Sequence, residues 1–197
     1  MKILNGTRDI VQLFSHAIDL DQNENIMNIF SGFGFQYARH KKYAKLIGPN
    51  FWHPGYAWAV TRSFYEKIGG LYDVSILGSG DHNMALSLVN NGSNSISGGA
   101  SEGYKRSILD FQEKAQDNKL GYVPGVVRHY FHGTKANRKY TERWSILVKH
   151  QFDPWEHLEK NADGLLVPTE KCPQGLLQEI MQYFIERNED DFLEKVL

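Results

Sequence analysis

Gly78-Ser79-Gly80-Asp81-His82-Asn83-Met84-Ala85, with Gly69-Gly70-Leu71-Tyr72-Asp73 shortly before it, decides how this chain is read. Two glycine clusters bracket a short apolar stretch. The second delivers an acid to the start of a helix whose apolar residues are Met84, Ala85, Leu86, Leu88 and Val89. Glycine permits positive φ and lets backbone pass close to a ligand. An aspartate at the mouth of a helix satisfies free N–H groups and sits where the dipole favours negative charge. Asp81 is therefore either a plain helix cap or a carboxylate presented to a binding cleft.

Around this segment the pattern alternates between strand and helix. Residues 9–18, β-branched and aromatic, predict one buried strand, followed by a polar turn at 19–25 and a mostly irregular stretch at 26–50. Residues 56–60 predict a strand and 63–68 a short helix. The helix at 81–89 ends in the turn chemistry of Asn90-Asn91-Gly92-Ser93-Asn94. A helix at 107–118, a strand at 120–130 interrupted by Pro124-Gly125, and a helix at 140–149 complete the unit. The expected fold is α/β, a mixed sheet flanked by helices. Residues 1–168 form that unit, and 169–197 a C-terminal amphipathic helical extension whose stripe is Leu176, Leu177, Ile180, Met181, Phe184 and Ile185.

The chain of 197 residues is 41% hydrophobic, enough for one substantial core. A net charge of −1 gives no basic field for nucleic acid, and no stretch has the length and apolarity of a membrane span. A single cysteine, Cys172, excludes a disulfide framework and points to a reducing, cytoplasmic setting. Walker A and G-x-G-x-x-G patterns are absent, which disfavours a P-loop kinase or a Rossmann oxidoreductase.

Aromatic residues make up 13% of the chain and concentrate in Phe51-Trp52-His53-Pro54-Gly55-Tyr56-Ala57-Trp58 and Tyr130-Phe131-His132. Rings with an N–H or O–H line sites for polar, ring-shaped ligands such as sugars, and they also fill cores. His129-Tyr130-Phe131-His132-Gly133 follows a strand, and its two imidazoles can share one site if the chain turns at Phe131. Histidine with carboxylates suits Mn²⁺ or Mg²⁺. Arg138 and Lys139, beside Tyr140, lie in a cationic run able to neutralise a diphosphate. Asp19-Leu20-Asp21 has the D-x-D form used to hold cations. With eighteen residues ahead of it there is no room for a βαβ nucleotide-binding half, and it is read as part of the polar turn.

Taken together, residues 52–59, 69–72, 78–85 and 129–133 resemble a GT-A-fold glycosyltransferase. The likeness is to virus, phage and bacterial members related to galactosyl- and N-acetylgalactosaminyl-transferases, over residues 9–164. The chain is similar to the C-terminal, acceptor-binding half of such enzymes. The resemblance implies metal-dependent transfer of a sugar from a nucleotide sugar to a glycan or other acceptor. It implies Asp81 as the catalytic base, and His129, with His132 as its rival, as a ligand of Mn²⁺ or Mg²⁺. Trp52, Tyr56, Trp58, Gly78, Gly80 and His82 would line the sugar and acceptor site, with Arg138 and Tyr140 facing the diphosphate. It further implies a separate N-terminal nucleotide-binding chain as partner, and host cytoplasm for a virus-encoded protein. The alternatives are a non-catalytic carbohydrate-binding module, a partner subunit, or a metal-dependent hydrolase using Asp81, His129 and His132.

Overall fold

A computed structural model describes residues 6–132, 139 and 142–187. The architecture is mixed α/β, with mixed sheets flanked by helices. Its centre is strand β1 (Ile10–Gln12), paired antiparallel with β5 (Trp58–Val60) and parallel with β6 (Leu120–Tyr122). A second sheet has the order β4-β3-β2-β7, from β4 (Trp52–His53), β3 (Ile26–Gly32), β2 (His16–Leu20) and β7 (Val126–His129). Strand β2 runs antiparallel to β3 and parallel to β7.

The segment expected as one strand over 9–18 is thus two strands in two sheets. The break at residues 13–15 matches the break at Pro124-Gly125 in the partner segment. Ser15 joins the two: its N–H and its hydroxyl both donate to the Gly125 carbonyl, at 2.9 and 2.8 Å. Ile10 faces Leu120 and Asp19 faces His129, so the offset of 110 residues carries through both sheets. Residues 26–40, expected to be irregular, form β3 and helix α1 (Phe33–His40). The first four residues of β3 are exposed, which erases the period-two signal a half-buried strand displays. Gly34 lies where a Cβ would come within 2.5 Å of the Gly121 carbonyl, so a residue that reads as a breaker is required by close packing.

Helix α2 (Arg62–Ile68) is capped by the Thr61 hydroxyl and ends at Gly69 in the left-handed region. Helix α3 (Gly80–Ser87) follows the second glycine cluster. Helix α4 (Glu102–Lys114) begins a turn and a half earlier than expected because Ser101 caps it, accepting from the Tyr104 N–H at 3.0 Å. Helices α5 (Glu142–Lys149) and α6 (Pro154–His157) lead to a hairpin, β8 (Leu158–Lys160) with β9 (Leu166–Pro168), and to helix α7 (Gln174–Arg187). Leu176 and Tyr183 of α7 and Cys172 before it belong to the same buried core as Phe152, Leu147 and Tyr104. Met181, Phe184 and Ile185 of the expected stripe are exposed. No described helix is long and apolar enough to cross a membrane.

One buried side chain ties these parts together. The Gln12 amide, fully buried at the end of β1, donates to the carbonyls of His53 and Gly55 at 2.9 and 3.1 Å. Its oxygen accepts from the Gly34 N–H at 3.0 Å. Replacing it with leucine keeps the volume and leaves three backbone groups without that partner, so Gln12→Leu is expected to cost about 3 kcal/mol. In urea denaturation and thermal melts this appears as a Tm lowered by roughly 10 °C. A loss below about 1 kcal/mol would show that water or a relaxed backbone takes over the amide's bonds.

Candidate functional site

A cleft of about 520 Å³ opens between the second sheet, the 53–56 turn and the start of α3. Its residues follow from the pleat. Side chains alternate across a strand, and cross-strand partners share a face. Asp19 pairs with Asn28 and His129, Ala17 with Phe30, and Gly32 with His53. Asp19, His129, Phe30 and His53 therefore sit on one face and line the cleft. Trp52, one residue from His53, turns to the other side and is buried against Phe33 and Tyr43.

Tyr56 stands at the middle of the cleft wall with φ of 68°, a left-handed conformation that costs a bulky residue about 1 kcal/mol or more. Its phenol ring stacks on the His53 imidazole at 4.4 Å with the planes 2° apart, and lies 4.8 Å from the His129 ring. Its hydroxyl donates to Asp19 Oδ1 at 2.5 Å, and the same oxygen is 3.3 Å from His129 Nδ1. On the far side of the imidazole, His129 Nε2 is 3.1 Å from His132 Nε2. The order is Tyr56, Asp19, His129, His132. Asp19 is buried, and its carboxylate is positioned to accept a proton-bearing Nδ1 of His129 and so direct Nε2 towards His132.

The opposite wall comes from the glycine-rich turn. Ser79 takes φ of 69° at the entry to α3, and its hydroxyl accepts from the Arg143 guanidinium at 2.6 Å. Gly78, at φ of 93°, leaves no space for a Cβ beneath that guanidinium. Gly80 is needed because a Cβ there would meet the Tyr72 carbonyl at 2.9 Å. Asp81 lies in the first turn of α3 rather than at the cap. One carboxylate oxygen accepts from the His82 N–H at 2.8 Å, and the other faces Gly55. Behind the wall, fully buried Asn83 donates to the hydroxyls of Ser75 and Tyr104 at 2.8 and 3.0 Å, fixing the turn to α4.

The cleft thus brings together Tyr56, Asp81, His82 and His129 from the expected set, with His132 beside His129. Trp52 and Trp58 lie elsewhere. Trp58 closes its own turn by donating its indole N–H to the Pro54 carbonyl at 2.8 Å. Gly78 and Gly80 serve as backbone clearances. Arg138 and Tyr140 lie outside the described residues, and among the described residues lining the cleft Arg143 is the one Lys or Arg. Sequence reasoning passed over Asp19, His53 and Arg143. The D-x-D pattern includes Asp19, while nothing in the sequence separates His53 from Trp52 beside it. Arg143 carries no local signal beyond its place in the cationic run.

No protein-family model, curated protein or solved structure matches the chain. Among the described residues no group of three or more His, Cys, Asp or Glu side chains forms a ready cation site. The reason is visible at His129: Asp19 addresses one ring nitrogen and His132 the other, so one ion cannot touch all three through it. His129 and His132 are the residues that could hold a cation, with Asp19 orienting the His129 ring.

His82 lines the cleft, and desolvation lowers its pKa from the usual 6.5; the Asp81 charge pulls it up and Lys45 pushes it down further. Between the lowered value and 6.5 the unfolded chain binds a proton that the folded chain refuses. This contribution to stability is complete above 6.5 and declines as pH falls below it. NMR titration is expected to find His82 titrating below 6.5, and His82→Gln to flatten the loss of stability in that window. A titration at or above 6.5 would show the ring to be solvated.

Proposed function

We propose that the protein is a glycosyltransferase of GT-A type that moves a sugar from a nucleotide sugar to an acceptor hydroxyl in the cleft between Asp19 and Asp81. The observation that carries this reading is the convergence on one cleft of a carboxylate–imidazole pair, Asp19 with His129, and a second carboxylate, Asp81, on a glycine-rich helix entry. Two acids from different elements facing one space, with a cation beside them, match what transfer from a diphosphate requires.

In this reaction the acceptor oxygen attacks the anomeric carbon, the bond from that carbon to the diphosphate oxygen breaks, and the nucleoside diphosphate departs. Asp81 takes the acceptor's proton, since its carboxylate is held by the His82 N–H at the cleft edge. Arg143, fixed on Ser79, offsets charge that builds on the departing diphosphate. Tyr56 and His53, stacked, give the sugar a flat wall with polar edges. His129 and His132 would hold Mn²⁺, favoured over Mg²⁺ by two imidazole donors, and the ion would supply further neutralisation of the diphosphate. Asp21 is engaged by Asn23 and Asn25, whose bonds hold its carboxyl below the usual range, and so caps its own turn. A nucleotide-binding partner chain belongs to the proposal. Strand β1 is bonded on both sides, so a partner strand would add at an outer edge, that of β5 or β6 in the first sheet or of β4 or β7 in the second.

Asp81→Asn is expected to lower transfer by a factor on the order of 10³ with an unchanged melting curve. Asp19→Asn is expected to weaken Mn²⁺ binding roughly tenfold or more, read by the ion's paramagnetic resonance, because His129 loses its orienting carboxylate. Full turnover by Asp81→Asn with nucleotide sugars would falsify the assignment of the base. Mn²⁺ affinity indifferent to Asp19 and His129 would remove the cation from this cleft.

A further inference from the structure

A second cleft, also of about 520 Å³, lies next to the first, and His82 lines both. It is bounded by the first turn of α3, residues 95–98 and one side of α5. Its volume is within the roughly 300–1,000 Å³ of small-molecule sites. The two clefts differ in charge. The first is lined by Asp19, Asp81 and Arg143; among the described residues lining the second there is no Asp, Glu, Lys or Arg.

The second cleft has an apolar part from Trp144, Ile96 and Val148 and a hydroxyl part from Ser95, Ser97 and Ser145. Trp144 is half-buried and braced edge-on by Tyr104 at 5.9 Å, so its indole is held in place without being covered. Ser95 donates its proton to the Gly92 carbonyl at 2.6 Å, and Ser145 to the Glu142 carbonyl at 2.6 Å. Both hydroxyls, with their protons committed, present oxygen lone pairs. The loop is anchored to α5, because the Gln151 amide donates to the carbonyls of Gly99 and Val148 at 3.0 and 2.8 Å. A ligand for these surfaces is neutral, has an apolar face for the indole, and donates several O–H groups at its edge.

We infer that this second cleft is the subsite for a neutral pyranose ring of the acceptor, with Trp144 as its platform and His82 at the passage into the first cleft. The inference rests on the transfer reaction proposed above. A ring seated on Trp144 directs a hydroxyl past His82 towards Asp81, the residue adjacent in the chain. The lowered pKa of His82 suits this place, since a neutral imidazole offers a lone pair to an arriving hydroxyl.

The test uses the full chain labelled with 5-fluorotryptophan and titrated with the methyl glycosides of galactose, glucose and N-acetylglucosamine, followed by fluorine NMR. At least one glycoside is expected to shift the Trp144 resonance saturably, and Trp144→Ala to weaken its binding about tenfold, the worth of a ring stacked on an indole. Because Trp144 also braces Tyr104, a second variant keeps the core intact. A Cβ at Gly98 meets nothing within 4 Å, so Gly98→Leu can occupy the rim of the cleft without a clash. It is expected to block the glycoside while leaving the melting curve and Mn²⁺ binding unchanged. No saturable shift of Trp144 with any of the three, or binding untouched by Gly98→Leu, overturns the inference. Glycoside binding at Trp144 in a chain that binds neither Mn²⁺ nor nucleotide sugar supports the subsite while overturning the transferase reading.

Discussion

The alignment of two parallel chain segments, 10–19 and 120–129, governs the rest of the molecule. They pair in the first sheet, separate at matching breaks, and pair again in the second with the offset unchanged. The Ser15–Gly125 contact holds that offset, with three hydrogen bonds between one serine and one glycine. A slip of one residue reverses the face of every side chain on a strand. Asp19 and His129 meet in the cleft because this register is held; shifted by one position, Asp19 would face Arg128 or Tyr130. The site is thus a consequence of strand pairing more than of any local motif.

Backbone strain is the other half of the construction. Tyr56 and Ser79, on opposite walls, both occupy the left-handed region without being glycine. Such conformations persist when their surroundings over-determine them. Around Tyr56 the Gln12 amide grips the carbonyls on either side of Pro54, and the phenol is held by Asp19 and by its stack on His53. Around Ser79 the Arg143 guanidinium and the Asn83–Ser75–Tyr104 network do the same work. Burial of Tyr104 raises its phenol pKa, so the hydroxyl that accepts from Asn83 stays neutral. The two walls are therefore rigid before a ligand arrives, which is the condition for electrostatic groups to act without reorganising.

The sequence made the helices legible where caps and glycine stops bound them, as with α3 ahead of Asn90 and α2 ahead of Gly69. It also showed the turn at Pro124-Gly125. It concealed β3, because an exposed strand lacks an apolar alternation, and α1, because Gly34 resembles a breaker when it is a packing contact with Gly121. The glycine cluster around Asp81 was legible as a site because its residues are contiguous. Asp19 was not, since its partner lies 110 positions away and only strand register joins them. Trp52 and His53 show the limit most sharply: adjacent aromatic residues read alike in a string, and the pleat sends one to the core and the other to the cleft.

The two clefts sharing His82 give this arrangement its direction. Among the described lining residues charge falls on one side, where Asp19, Asp81 and Arg143 surround the space in which the proposed transfer places the diphosphate. On the other side, indole and serine hydroxyls surround a space suited to a neutral ring. A nucleotide sugar in the second cleft would leave its phosphates without cationic partners among the described residues lining it. A diphosphate is thus steered by what the second cleft lacks, since specificity rests on the misfit of the wrong site as much as on attractive contacts. In the proposed transfer Asp81, in the first turn of α3 and one residue before the imidazole that lines both clefts, is the carboxylate that takes the proton of a neutral hydroxyl.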